Sequence, residues 1–168
     1  MLLRRCLTAV LLATVVLAGC GDDEAGPQTK EGFISAADTV CEELFSEFAQ
    51  ASQETPTTPQ EVAQANDELA DTYEKLARRL DEVPLPERGA ARTQAQAFVA
   101  SVRSAEPLLD DLRAASKRFV DAAEAGDRQA VATAGNDVRS ALDAFRSARA
   151  DSDRLAVEYG LNFCGNLG

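Results

Sequence analysis

The side chains that could do chemistry in this sequence are four cysteines and 28 carboxylates, because the chain contains no histidine. Without histidine, a serine–histidine or cysteine–histidine relay and a histidine metal site are excluded. Cys6 and Cys20 lie in the first twenty residues, whereas Cys41 and Cys164 lie near the two ends of the remaining chain. The four thiols therefore fall into two pairs, which we consider in turn.

Cys20 follows a segment typical of an export signal. Arg4 and Arg5 precede the twelve-residue apolar run 7–18, which suits a signal-peptide core and is short for a bilayer span. The motif Leu17-Ala18-Gly19-Cys20 resembles the lipobox of bacterial lipoproteins, which implies cleavage before Cys20 and diacylation of its thiol. Two acyl chains give a stable membrane anchor. The alternative is an ordinary secretory signal in which Cys20 is incidental.

Cys41 and Cys164 would then be the two remaining thiols of an exported protein. Export favours a disulfide between them, and the alternative is two buried, reduced side chains. The two residues lack the close Cys-x-x-Cys spacing of a redox catalyst. We therefore expect a structural Cys41–Cys164 bridge rather than exchange chemistry.

The carboxylates are unevenly distributed along the chain. Segment 33–83 has twelve acidic and three basic residues, a net charge of −9, whereas segment 84–168 has twelve and eleven. Clustered carboxylate oxygens could hold a divalent cation or a partner with a basic surface, and the alternative is a solvated helix surface. The candidate residues are Glu42, Glu43, Glu47, Asp67, Glu68, Asp71 and Glu74.

Neither the composition nor the motifs point to a cofactor or to nucleic acid. The formal net charge of −11 argues against a nucleic-acid partner, because phosphate binding needs a basic surface. No calcium-binding loop and no Glu-x-x-His pair occurs in the sequence, so neither a bound metal nor another cofactor is predicted. The sequence also lacks a glycine-rich phosphate loop and the common serine-nucleophile motifs.

Apolar residues at helical spacing predict four helices in this alanine-rich chain. We expect them at about 33–51, 59–83, 87–124 and 128–159. Thr58 and Asp127 are suited to N-caps, and Pro107 should kink the third helix without ending it. The first helix begins either near a Ser35/Asp38 capping box or a few residues earlier. The predicted parts are a signal peptide at 1–19, a lipidated cysteine with a flexible tether at 20–32, and a helical domain at 33–168.

Three short connections favour an up-down-up-down antiparallel four-helix bundle, an all-α fold. In that bundle, the start of the first helix and the end of the fourth lie at the same end. A tail that reverses at Gly160 spans about 13 Å over four residues, and Cys41 lies about 12 Å along the first helix. The tail can therefore carry Cys164 to Cys41, and we expect Leu161 and Phe163 to cover the end of the core.

The two ends of the domain carry a family resemblance. The residues Phe33-Ile34, Ala37-Asp38 and Cys41, followed at the far end by Tyr159-Gly160-Leu161 and Cys164-Gly165, resemble a group of small helical lipoproteins of actinobacteria. No function is assigned to that group. The resemblance implies a location and a fold, and it implies no activity.

The sequence favours a membrane-anchored, extracytoplasmic lipoprotein that acts as a non-enzymatic interaction or binding module. One alternative is a small-ligand or divalent-cation binding protein that uses the bundle core, a groove at Pro107 or the acidic surface. A second alternative is an enzyme that works through carboxylates alone, which needs two carboxyls facing each other in a pocket. Polar residues within the apolar stripes (Asn66, Ser116 and Ser152) either fix helix register or line a small cavity.

Overall fold

A computed structural model describes residues 29–51 and 55–166 of the chain. The predicted signal peptide, Cys20 and most of the tether lie outside the described residues. The helices are α1 (Lys30–Ala51), α2 (Pro59–Glu82), α3 (Gly89–Ser104), α4 (Glu106–Glu124) and α5 (Arg128–Tyr159), followed by a short 3₁₀ turn at Cys164–Asn166. The predicted all-α fold is confirmed, with α3 and α4 forming the two halves of the third helix.

Helix α1 begins at Lys30, three residues before the Phe33 start considered first. The Thr29 hydroxyl accepts a hydrogen bond from the Gly32 N–H at 3.0 Å, and the Thr29 carbonyl accepts one from the Phe33 N–H at 3.1 Å. Thr29 thus satisfies two N–H groups of the first turn, as an N-cap does. Of the two predicted starts, the earlier one is correct. The Asp38 carboxylate accepts hydrogen bonds from the C-terminal tail and does not take part in a capping box.

Helix α2 begins as predicted, at the capping box formed by Thr58 and Glu61. The Thr58 hydroxyl accepts from the Glu61 N–H at 3.2 Å, and the Glu61 carboxylate accepts from the Thr58 N–H at 3.0 Å. Glu61 also accepts from the Thr57 N–H at 2.7 Å. These hydrogen bonds, first among them that from the Thr57 backbone, lower the pKa of Glu61.

The third predicted helix is interrupted at Ala105 instead of being merely kinked. Pro107 has no N–H to donate. The neighbouring backbone instead forms hydrogen bonds between residues three apart in the sequence, from Ala105 N–H to Val102 O and from Leu108 N–H to Ala105 O. Ala105 keeps helical dihedral angles, with φ −85° and ψ −15°. The apolar stripe therefore continues in phase across the break, and Val102, Ala105 and Leu109 are all buried.

The core consists of the apolar stripes of all four predicted helices. Its largest buried side chains include Phe33, Phe98, Phe145 and Tyr159. Contacts between consecutive predicted helices run in opposite directions, so that a later residue of one helix contacts an earlier residue of the next. Examples are Glu43 with Arg79, Glu47 with Lys75, Asn66 with Ser116, and Asp81 with Arg103. The up-down-up-down order stays a prediction, which this reversed pairing supports.

The C-terminal tail folds back onto α1. Gly160 ends α5 in the left-handed conformation, at φ +101°, where a glycine has no Cβ to strain. The predicted disulfide between Cys41 and Cys164 is present, with the two Cα atoms 5.2 Å apart. Leu161 is buried as expected, but the expectation for Phe163 is wrong, because this side chain is 47% exposed.

Asp38 secures the same tail through its carboxylate, a role that the sequence analysis missed. The side chain is 8% exposed. It accepts hydrogen bonds from the N–H groups of Asn162 and Phe163, both at 2.9 Å, and of Cys164 at 3.3 Å. A carboxylate that accepts several backbone N–H groups stabilises a turn strongly. We call the Asp38 hydrogen bonds together with the Cys41–Cys164 disulfide the tail latch.

Replacing Asp38 should destabilise the protein because three backbone N–H groups of the tail lose their acceptor. We expect Asp38→Ala to lower the free energy of unfolding by about 3 kcal/mol, measured by urea unfolding followed by circular dichroism. As the control, Asp121→Ala removes an exposed pair with Lys117 and should cost less than about 1 kcal/mol. Equal effects of the two substitutions would contradict this role of Asp38.

Candidate functional site

A groove separates α1 from α5 over the middle of the described fold. Within residues 29–51 and 55–166, no Cα atom of α1 lies within 8 Å of one of α5, although α1 packs against α2 and the tail turn. Near the tail the side chains do meet, and the rings of Phe33 and Tyr159 pack edge-to-face with centroids 5.5 Å apart. Beyond this contact the helices leave a cavity lined by Leu44, Phe45, Leu69, Tyr73, Phe145 and Arg149, among others. We call it the α1–α5 groove.

The α1–α5 groove is narrow. Its volume is about 50 Å³, and an adjoining cavity beside Ser152 and Asp153 adds about 10 Å³. Typical small-molecule sites enclose about 300–1,000 Å³, whereas about 10–15 Å³ holds one water molecule. The groove is therefore much smaller than the ligand chamber that the small-ligand alternative requires, and it has room for the tip of one side chain.

Tyr73 lines both of these cavities. The residue is 6% exposed, its ring packs edge-to-face on Phe145 at 4.9 Å, and its hydroxyl is buried without a hydrogen-bond partner among the described residues. Burial raises the pKa of Tyr73 to about 12, an effect that the nearby Ser152 hydroxyl partly offsets. At neutral pH the hydroxyl is therefore protonated.

The charged groups beside Tyr73 neutralise each other. Arg149 and Asp153, one helical turn apart on α5, form an ion pair at 3.4 Å in which both side chains are about three-quarters buried. Burial raises the pKa of Asp153, and the positive charge of Arg149 opposes that rise. Asp153 is the single carboxylate among the described residues that line these two cavities. The site therefore lacks the facing carboxyl pair that a carboxylate-only enzyme needs.

The predicted acidic residues of α1 do not converge on one point. Glu43 pairs with Arg79 at 2.6 Å, and Glu47 pairs with Lys75 at 2.7 Å. Both pairs join α1 to α2 on the outside of the fold. Glu42 is exposed beside them. The spacing of the acidic residues along the sequence does not reveal these basic partners, which lie on α2.

The predicted acidic residues of α2 gather instead around Arg113 of α4. The guanidinium contacts Glu74, lies 2.7 Å from Asp71 and lies 4.0 Å from Asp67. The hydrogen bond that Arg113 donates to Glu74 contributes most to raising the pKa of Arg113. Glu68 accepts a hydrogen bond from Gln64 at 2.9 Å. Across the described residues, no group of three or more acidic or cysteine side chains is placed to hold a metal ion.

The polar residues of the stripes satisfy each other. The Asn66 amide donates to the Ser116 hydroxyl at 2.9 Å in a buried contact between α2 and α4. The hydroxyls of Ser101 and Ser152 lie 3.0 Å apart. Paired polar groups at single positions fix how two helices align, so these contacts favour the register interpretation over a ligand cavity.

The predicted groove at Pro107 exists as a shallow cleft of about 410 Å³. It is lined by charged side chains, of which Arg103 pairs with Asp81 and Glu74 pairs with Arg113. The cleft opens broadly to solvent and contains no unpartnered buried polar atom among the described residues. It offers less for specific binding than the α1–α5 groove.

Sequence reasoning missed Phe45 and Arg149, which line the α1–α5 groove, and Asp153, which lines the adjoining cavity. Phe45 lies next to Leu44 and outside the apolar stripe of α1, and a large apolar residue off the stripe is itself a signal of a binding surface. Arg149 and Asp153 have the i, i+4 spacing of a helical ion pair. That spacing is common, and it cannot show that the pair lies in a groove.

Comparison of this chain with protein-family models, with curated proteins and with solved structures finds no match. None of the described helices is long and apolar enough to span a bilayer. Conclusions about the site therefore rest on its own residues.

Replacing Tyr73 with phenylalanine should remove an unpartnered buried hydroxyl and leave the packing intact. We expect Tyr73→Phe to raise the free energy of unfolding at pH 7 by about 1 kcal/mol. Between about pH 10 and pH 12, unfolded tyrosine loses a proton that folded Tyr73 keeps. Over this range the free energy of unfolding of the wild-type protein therefore falls by up to about 3 kcal/mol more than that of the variant. Urea unfolding of both proteins at several pH values measures this difference, and parallel stability curves would contradict it.

Proposed function

We propose that this protein is a lipid-anchored, extracytoplasmic binding module without enzymatic activity, and that the α1–α5 groove is its binding surface. The observation that carries the proposal is the exposed Phe45 side chain, 44% accessible, in the same groove as the unpartnered Tyr73 hydroxyl. Monomeric proteins usually bury large aromatic side chains and pair buried hydroxyls. A site that departs from both rules is best explained by a missing partner.

The anchor follows from the leader sequence. Nine residues separate Cys20 from Lys30, the first residue of α1. Fully extended, they would reach about 30 Å, so a lipid on Cys20 would keep the domain close to the membrane surface. The proposed location is the outer face of the cytoplasmic membrane, with the tail-latched end of the fold nearest the anchor.

Binding is favoured over catalysis because most of the acidic side chains singled out above form ion pairs with basic residues. Glu43, Glu47, Asp71 and Glu74 are engaged in ion pairs between helices, and the polar lining of the groove has no net charge. General acid–base work needs a proton donor and acceptor that face a common substrate position. The groove instead offers a mainly apolar lining, which suits recognition.

A second candidate function is binding of a small neutral molecule, which the unpartnered Tyr73 hydroxyl specifically favours. Such a ligand would accept the Tyr73 hydrogen bond and expose most of its surface, given the groove volume of about 50 Å³. Native mass spectrometry of the exported mature chain, purified without added ligands, separates the two functions. A retained molecule of low mass supports the small-ligand function, and an empty protein supports partner binding.

The proposed anchor predicts a specific covalent product. Cys20→Ala should abolish the diacylated N-terminal peptide in mass spectra of the membrane-extracted protein, because the acyl chains are attached to that thiol. Cys6→Ala, the matched control within the leader, should leave processing and acylation unchanged. An unmodified Cys20 in the wild-type protein, or acylation that survives Cys20→Ala, would contradict the anchor.

A further inference from the structure

The shape of the α1–α5 groove suits apolar side chains presented by a helix. Its floor runs along α2 from Leu69 to Leu76, which corresponds to about 10 Å or two helical turns. Phe45 forms an exposed wall on α1, directly after the buried Leu44. An amphipathic helix presents apolar side chains one turn apart, so the tip of one can enter the groove while its neighbour packs against Phe45.

The two sides of the groove differ in charge. Helices α1 and α2 together have twelve acidic and four basic residues, a net charge of −8, whereas α5 has five of each. Glu42 is exposed and lies three residues before Phe45, so the two side chains share one side of α1. A partner with basic residues beside its apolar ones matches this asymmetry.

The α5 wall does not oppose such a partner. Its groove-lining cation, Arg149, is paired with Asp153, and Arg146 is paired with Asp143. A lysine or arginine entering from the α1 side therefore meets the exposed Glu42 carboxylate, which forms none of the ion pairs described above, and meets no net charge on the α5 wall.

Resting on the binding function proposed above, we infer that the α1–α5 groove binds a basic amphipathic helix of a partner protein. Its apolar residues pack beside Phe45, and its lysines or arginines face Glu42 and the acidic side of α1 and α2. The tail latch lies at one end of this groove and keeps both walls in place.

The test uses the complete mature chain with Cys20→Ser, exported so that the disulfide forms, and a synthetic leucine–lysine amphipathic peptide. A length of about 14 residues is enough for a marginal helix in water. The protein contains no tryptophan, so one tryptophan in the peptide reports binding by its fluorescence alone. We expect saturable binding that weakens as salt increases, and no binding of the same peptide with glutamate in place of lysine.

Two exposed phenylalanines provide a matched pair of variants, because Phe45 is 44% exposed and Phe163 is 47% exposed. Phe45→Ala should weaken binding of the lysine peptide by at least about tenfold, and Phe163→Ala by less than about twofold. Glu42→Gln should also weaken binding, whereas Glu124→Gln, an exposed position at the end of α4, should not. Circular dichroism checks that all four variants remain folded.

Equal losses for Phe45→Ala and Phe163→Ala would overturn the inference, as would equal binding of the lysine and glutamate peptides. If neither peptide binds but the wild-type protein retains a small molecule that Phe45→Ala loses, the helix inference fails and the proposed binding function stands. If the groove holds neither a peptide nor a small molecule, both fail.

Discussion

The tail latch holds the start of α1 against the end of α5, and the arrangement of these two helices depends on it. The Cys41–Cys164 bridge joins residues separated by 123 positions, and a loop of that length corresponds to about 4–5 kcal/mol in the chain-entropy treatment. Asp38, one turn before Cys41, supplies the acceptor for three tail N–H groups. Together they fix the start of α1 to the end of α5, where Phe33 and Tyr159 also pack.

The latch explains why the groove can stay open along its middle. Helix α5 packs on α3 and α4, whereas α1 packs on α2 and the tail. The ion pairs of Glu43 and Glu47 hold α1 toward α2. Because the tail latch holds one end of α1 and α2 packs along its length, α1 is held in place without packing against α5. The exposed apolar area that results is small, centred on Phe45, which is compatible with a soluble domain.

Much of the fold could be predicted from local sequence patterns. The spacing of apolar residues identified the buried stripe of each helix, and Thr58, Asp127 and Gly160 marked helix ends through local hydrogen bonds and dihedral angles. The pairing of Cys41 with Cys164 followed from the count of thiols and the expected export. Each of these signals comes either from residues that are close together in the sequence or from the number of residues of one type.

The candidate site could not be predicted because its features depend on distant residues. The three partners of Asp38 lie 124 to 126 residues away, and the basic partners of the acidic clusters lie on other helices. No pattern in the sequence indicates how far α1 and α5 separate, so neither the exposure of Phe45 nor the lack of a partner for the Tyr73 hydroxyl could be foreseen.

NMR of the mature chain with a soluble paramagnetic probe would show whether α1 and α5 leave Phe45 open to solvent. We expect the ring protons of Phe45 to relax about as fast as those of Phe163 and much faster than those of the buried Phe33. Protection of Phe45 equal to that of Phe33 would mean that α1 is closed against α5 and that the groove does not exist.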